Sequence, residues 1–297
     1  MGFYADKTIL VAGGTGSIGS SVVKELLTHA PKSVRILSRN AEKQYWMREE
    51  HKGRQTRFIL GDICYKERLP EILHGCDYVF NCAALKHVDM AEYNVDEAAR
   101  VNISGMKNLL DAARAVGASA FMQLSTDKVA NVQCVMAATK LTAERIARTY
   151  WRSRETPKVV TVRLGNVVGS SCSLGQRISK CVKRGVPYPI TDERMRRFFI
   201  SSTRAANFIV RALAEGESGE VWVPEMTEEF IVDKAAQLAA VCVQQLGKVG
   251  EYDPAKYTLV GARPNENLRE SLWTEEEAGR LKEKRGEYKD AWVIPRT

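Results

Sequence analysis

The order of apolar and amphipathic segments predicts an α/β fold: a doubly wound parallel sheet covered by helices on both faces, followed by a smaller lobe. Two observations carry this. Short runs rich in Val, Ile and Leu alternate with helical patterns along the first two-thirds of the 297 residues. Runs such as Thr8-Ile9-Leu10-Val11-Ala12 are apolar at nearly every position, as strands buried on both faces are.

The strands follow from those runs at Thr8–Ala12, Ser33–Ser38, Arg57–Leu60, Tyr78–Cys82, Ala120–Leu124 and Val159–Leu164. Amphipathic patterns between them predict helices at Ile18–His29, Ala41–Glu50, Glu67–Leu73, Val95–Val116 and Met136–Trp151. After Gly165 the rhythm breaks. Strands at Arg197–Ser201, Glu220–Val223 and Tyr257–Val260 mix with helices at Thr203–Glu215 and Val232–Leu246. The division expected is therefore 1–165 for the wound domain and 166–297 mainly for the lobe, with about 197–215 returning to the first domain. The interleaved Glu, Lys and Arg of Glu275–Lys289 read as a solvated polar helix.

Composition narrows the function classes. At 44% apolar and 27% charged residues the chain can bury a sizeable core without a disulfide or metal staple. It has no apolar run of membrane-spanning length and its start lacks the pattern of a signal peptide. The 7 cysteines form no C-x-x-C pair and read as reduced thiols of a cytoplasmic protein. The 4 histidines are scattered, so no metal centre is expected. A net charge of +8 favours an anionic partner. With no nucleic-acid-binding signature in the sequence, a phosphorylated metabolite fits that excess better than nucleic acid does.

Gly13, Gly16 and Gly19, in Ala12-Gly13-Gly14-Thr15-Gly16-Ser17-Ile18-Gly19, lie where the first strand turns into the first helix. Glycines there permit a tight turn, close approach of backbone to a pyrophosphate, and close packing of helix on strand. The free N–H groups of the helix start then face the phosphates, with Thr15, Ser17 and Ile18 beside them. The second strand ends in Ser38-Arg39-Asn40, with Lys43 a turn later. An acidic residue would have suited the ribose hydroxyl of NAD, whereas this cation pair suits the extra phosphate of NADP. Arg39 and Lys43 also read as plain surface charges. Asp62 and Ile63 after the third strand fall near the adenine, and Ala83 and Ala84 after the fourth leave room beside the cofactor.

These residues, with the strings AGGTGSIG, LSRNAEKQ, CAALKHVDMAE, VNISG, LSTDK, ATK, RLGNVVGS, ITDERMRRF and GARPNENL, resemble the extended short-chain dehydrogenase/reductase superfamily. Within it the chain is similar to the nucleotide-sugar 4,6-dehydratases of polysaccharide biosynthesis that act on UDP-N-acetylglucosamine. The resemblance implies a Rossmann-type fold, bound NADP and removal of water across sugar carbons 5 and 6. It assigns proton transfer at carbon 5 to Lys128 and protonation of the leaving hydroxyl to Asp127. A buried ammonium near Lys140 and the nicotinamide is expected to lose its proton more easily than a free lysine.

Lys140 is expected on the cofactor ribose, and Lys86, Asn102 and Ser125 join the cofactor set. Ser125 or Thr126 would hydrogen-bond the sugar. Lys86, His87, Thr126, Asn166, Thr191, Arg197, Arg263 and Glu266 are implied around the hexose, diphosphate and uridine. The resemblance also implies a homo-oligomer, dimer or hexamer, assembled near Asn131–Met136.

The chain departs from the pattern at several places. Met136 occupies the position of the superfamily's catalytic Tyr, and a thioether neither gives nor takes a proton. Ser171 and Cys172 replace Arg and Gly, Asn265 and Asn267 replace Gly and Lys, Val132 a Pro, and Ala137 a Gly. Two alternatives therefore stay open beside a Met-containing dehydratase. One is a UDP-sugar epimerase or retaining dehydratase; the other is a catalytically silent NADP-binding regulatory protein.

Overall fold

In the computed structural model, residues 2–150, 157–170, 174–262, 266–284 and 291–296 are described. Strands β1 (Thr8–Ala12), β2 (Ser33–Ser38), β3 (Thr56–Leu60), β4 (Tyr78–Asn81), β5 (Ala120–Thr126), β6 (Lys158–Leu164) and β10 (Val221–Pro224) run parallel. Strands β14 (Ala291–Ile294) and β13 (Lys282–Lys284) extend the sheet antiparallel. The nine strands lie in the order β13-β14-β10-β6-β5-β4-β1-β2-β3, so the chain reverses direction across the sheet between β1 and β4. Ligands bind at such a switch point, outside the carboxyl ends of the strands.

Alternate side chains of each strand feed two cores. Ile9 and Val11 face one side, with Val22, Val23 and Leu26 of α1 (Ser17–Leu26) and Phe208, Ile209 and Leu213 of α9 (Ser202–Glu215). Leu10 and Ala12 face the other, with Leu69, Ile72 and Leu73 of α3 (Leu69–Leu73), Leu109 and Leu110 of α6 (Met106–Ala115), and Ala143 and Ala147 of α7 (Val135–Thr149). This is the Rossmann-type α/β fold that the strand pattern predicts.

Where one helix is expected over Val95–Val116, the chain forms α5 (Val95–Ala99), a π-helical segment Arg100–Gly105, and α6. Asn102, in the π segment, accepts the Leu85 N–H at 2.8 Å and donates to Leu85 O (3.0 Å) and Thr139 Oγ1 (3.0 Å). It thereby ties the loop after β4 to α7.

Beyond β6, β7 (Asn166–Val168), β9 (Arg196–Ser201) and β11 (Thr227–Phe230) make a small sheet. Helices α8 (Leu174–Arg184) and α10 (Ile231–Gln245) pack with β8 (Tyr188–Ile190) and β12 (Tyr257–Leu259). Ile178, Val182, Tyr188, Ile190, Ala235 and Ala239 give that part its own apolar core.

The solvated helix expected over Glu275–Lys289 is corrected. Helix persists for one turn, Glu275–Ala278, then gives way to β13 in a hairpin with β14; residues 285–290 lie outside the described residues. Glu277 is not solvated. Its carboxylate accepts from Arg163 Nη1 and Nη2 at 2.8 Å each, and Arg163 also holds Glu144 Oε1 (2.5 Å), Glu144 Oε2 (3.0 Å) and Leu272 O (3.2 Å). A partner on β6 that the local charge pattern cannot reveal draws the turn inward. Among the described residues, no helix is long and apolar enough to cross a membrane.

Candidate functional site

The carboxyl ends of β1 and β4 meet at the glycine turn. Gly13 has φ of +72°, and a Cβ there would stand 2.7 Å from Ala83 N. A Cβ on Gly19 would stand 2.2 Å from Gly13 O. Only hydrogen fits either place. Gly16 donates to Gly13 O (2.9 Å) and caps α1 with no side-chain hydrogen bond and no acidic residue in the first turn. The first amides of α1, with Thr15, Ser17 and Ile18 around them, form a small-residue cradle suited to a diphosphate. The residues present therefore fit a dinucleotide.

At the end of β2, Arg39 Nη1 lies 3.7 Å from both Asp62 Oδ2 and Glu97 Oε1, and Arg100 Nη2 lies 3.6 Å from Asp62 Oδ2. Against the cost of burial, the Cys64 amide and thiol and the two guanidinium groups hold the Asp62 carboxyl below its usual range. Ile63 is buried beneath it. Lys43 is exposed on α2 (Ala41–Glu50), its backbone N–H capped by Asn40 Oδ1 at 2.8 Å. Gln44, which sequence reasoning missed, is buried and donates to Ser38 Oγ (2.9 Å), Ser38 O (3.0 Å) and Ile59 O (2.7 Å), fixing the strand ends that present Arg39. Its place one turn after the helix cap Asn40 was the available signal.

After β4, Asn81 Oδ1 accepts the Ala83 N–H (3.2 Å) and its Nδ2 donates to Gln123 (2.9 Å), shaping the Ala83–Ala84 turn. Lys86 is exposed, and half-buried His87 caps α4 (Val88–Tyr93).

The end of β5 brings the catalytic candidates together. Asp127 is 0% exposed; its Oδ1 accepts from Thr126 Oγ1 (2.9 Å) and Lys128 Nζ (3.2 Å), while Oδ2 is buried without a partner. Ser125 Oγ is likewise buried and unpartnered. Two unsatisfied buried polar atoms at the end of one strand are costly unless a ligand pairs with them. Lys140 Nζ donates to Leu124 O at 2.5 Å, and burial pulls its pKa down to about 8. Met136, one turn earlier on α7, is 4% exposed and packs with Ala91, Ala98, Leu85 and Val88.

The expectation that Lys128 loses its proton easily is corrected. Burial does oppose its charge, but Asp127 and Glu270 outweigh burial and hold its pKa above the ordinary lysine range. Glu270 is a second residue that sequence reasoning missed. It is buried, with Oε1 3.5 Å from Lys128 Nζ. An acidic residue two positions beyond the GARPNENL string was the only signal, and nothing local says that it folds inward.

Arg197 is buried and occupied by its own chain. It donates to Arg196 O (2.8 Å), Asn267 O (2.8 Å) and Leu268 O (3.2 Å), with Glu266 Oε1 at 3.7 Å and Glu270 Oε1 at 4.0 Å. Thr191 Oγ1 meets Met195 Sδ at 3.1 Å, and that sulfur lies 3.5 Å from Arg197 Nη2. Asn166 is half-buried at the start of β7, opposite Phe199. Arg263, Ser171 and Cys172 lie outside the described residues.

The family described as "Polysaccharide biosynthesis protein" matches residues 9–291. The chain belongs to that family. An uncharacterized membrane protein of Methanocaldococcus jannaschii is 38% identical over 95% of this chain and 84% of its own. A UDP-N-acetylglucosamine 4,6-dehydratase (inverting) of Campylobacter jejuni is 34% identical over 91% of this chain and 78% of its own. A UDP-glucose 4-epimerase of Rickettsia canadensis is 31% identical over 96% and 82%. The solved structure of Pen from Bacillus thuringiensis superposes with a TM-score of 0.90 at 32% identity, covering 99% of this chain and 89% of that one. Relatives of the chain thus include nucleotide-sugar dehydratases and epimerases.

Proposed function

We propose that this chain is an NADP-dependent UDP-N-acetylglucosamine 4,6-dehydratase that inverts carbon 5. One observation carries the reading: an amine and a carboxyl group, Lys128 and Asp127, lie 3.2 Å apart at the end of β5, with Asp127 Oδ2 left without a partner. Loss of water across carbons 5 and 6 needs a base for the carbon 5 proton and an acid for the carbon 6 hydroxyl. A 4-epimerase needs neither at those positions.

The glycine cradle holds the diphosphate of the cofactor, Arg39 and Lys43 its 2′-phosphate, and Lys140 and Ser125 its nicotinamide end. When bound, NADP supplies reversible hydride acceptance. Lys128 and Asp127 share one proton across their contact. Moving it from ammonium to carboxylate turns Lys128 into the base and Asp127 into the acid together, without a proton from outside. Asp127 then gives that same proton to the departing hydroxyl while the amine takes the carbon 5 proton, which restores the starting ammonium–carboxylate pair. Met136 seals the place of the usual Tyr with apolar packing, and Lys140 one turn later is the nearby group poised to titrate near neutrality. In this reading Asn166, Thr191 and Glu266 serve the UDP-sugar, and the resemblance adds Arg263; Arg197, held by its own chain, shapes that side of the site from beneath.

The six cysteines among the described residues are free, which supports a reducing compartment, the cytoplasm. A homo-oligomer through the Asn131–Met136 region belongs to the same reading.

The test is incubation with UDP-N-acetylglucosamine in deuterium oxide and NMR of the product. Deuterium at carbon 5 with a methyl at carbon 6 and a ketone at carbon 4, in the inverted configuration, is the expected result. A product epimerised only at carbon 4, or no turnover with cofactor bound, sinks the reading in favour of the epimerase or the silent protein respectively.

A further inference from the structure

We propose that Glu270 is a positioning residue for the Asp127–Lys128 pair, fixing the Lys128 ammonium between two carboxylates and setting the pH range in which the pair moves protons. The proposal rests on the dehydratase reading for its catalytic consequence, though not for its geometry.

The late segment is built to bring this carboxylate inward. Arg196 N–H donates to Leu268 O at 2.8 Å, and Arg196 and Arg269 form an isolated parallel bridge. Arg163 holds Leu272 O two residues beyond Glu270. Asn267 Nδ2 donates to Glu270 Oε2 (3.2 Å) and to Asn131 O (3.2 Å), and accepts from Asn131 Nδ2 at 3.3 Å. The segment is thereby stitched to the loop that follows Lys128, and Glu270 Oε1 is turned toward the amine. Its side chain is 4% exposed and that of Lys128 21%. An opposite charge at this separation, so shielded from water, favours the charged amine strongly.

The charged and titratable groups facing Lys128 come from several elements. Asp127 adjoins it, Glu270 comes from the late segment, and Arg197 of β9 acts with the opposite sign. Cys134, just before α7, feels the field of Lys128 and Glu270. Glu92 of α4, which accepts the Val135 N–H at 2.7 Å, and Glu266 beside Arg197 stand one contact further out. Among the described residues, Glu270 is the carboxylate beside Lys128 that the carbon 5 and carbon 6 chemistry leaves unused.

The sign follows from proton counting. The pair works while it holds one proton between its two groups, so the rate falls at low pH when a second proton binds and at high pH when the last one leaves. A nearby negative charge makes both protons harder to remove. Replacing Glu270 by Gln keeps shape and hydrogen bonding but removes the charge, so both limbs of the profile move to lower pH.

The test uses the full chain and two readouts. One is the pH profile of kcat for UDP-N-acetylglucosamine dehydration. The other, independent of activity, is the pH dependence of Lys128 labelling by trinitrobenzenesulfonate, read by mass spectrometry of its peptide. In Glu270→Gln both are expected to shift down by about one pH unit or more, with KM little changed, and Glu270→Asp to return toward the wild type. Unmoved limbs in folded Glu270→Gln would overturn the proposal. Should that variant fail to fold, wild-type labelling decides: half-labelling of Lys128 above that of ordinary lysines supports it, and below refutes it. Absence of turnover on the sugar counts against the dehydratase reading alone, because the labelling profile still reports the hold of Glu270 on Lys128.

Discussion

Two buried clusters in this molecule each set one cation between two carboxylates, one of which comes from the late segment. In the first, Arg163 meets Glu144 and Glu277 at 2.5–3.0 Å. In the second, Lys128 meets Asp127 and Glu270 at 3.2 and 3.5 Å, and Asp127 Oδ2 has no partner. Arginine's fork matches two carboxylates at once, whereas a lysine amine is a point charge that can give up its proton. The saturated cluster fastens the C-terminal segment to the sheet. The unsaturated one keeps hydrogen-bonding capacity in reserve for a ligand.

The sharpest way to break this contrast is to disarm the second cluster. Lys128→Ala and Asp127→Asn are each expected to lower kcat on the order of 10²–10⁴-fold while leaving NADP binding near wild type. Undiminished turnover in either removes that residue from the chemistry.

Glu277→Ala attacks the first cluster and should do the reverse. Taking one partner from a buried ion pair costs about 3–5 kcal/mol, read by urea unfolding. Its acid dependence also has a sign. Arg163 holds the Glu277 carboxyl down at about 2 against the cost of burial, from an ordinary 4.5. The stabilisation is therefore complete above about pH 5 and fades as pH falls toward 2. In Glu277→Gln that part of the acid slope should vanish; an unchanged slope would show that the pair does not carry it.

Gly19→Ala should weaken cofactor binding about tenfold or more by fluorescence titration. A helical Gly→Ala change ordinarily stabilises by about 1 kcal/mol, but here the new Cβ would meet Gly13 O at 2.2 Å. Unimpaired binding would mean that the cradle yields.

The smallest effect belongs to Ser125→Ala. Deleting an unpartnered buried hydroxyl should leave stability unchanged or raise it slightly, while ligand affinity falls by about 1 kcal/mol, measurable by calorimetry. A loss of stability instead would place Ser125 with the structural groups.

The sheet was legible because strands buried on both faces write their environment into composition: the bounds expected for β1 and β2 are those observed. Gly13 and Gly19 were legible because their demands are local. The helix expected over Glu275–Lys289 failed because Glu277 answers to Arg163 on β6, a partner remote in sequence. Glu270 escaped for the same reason, and the Lys128 pKa was assigned the wrong direction because the two carboxylates beside it, Asp127 first and Glu270 second, outweigh burial. Short elements such as α4 and the β13–β14 hairpin lack enough periods to announce themselves.

The π-helical turn at Arg100–Gly105 has a further consequence. It carries one residue more per turn than the helices on either side, and each α-helical residue rotates the axis by about 100°. Deleting any single residue there would restore ordinary backbone pairing while swinging either Asn102 or the Leu109–Leu110 side away from its target. The insertion lets a single rod point an amide at the loop after β4 and an apolar stripe at the sheet.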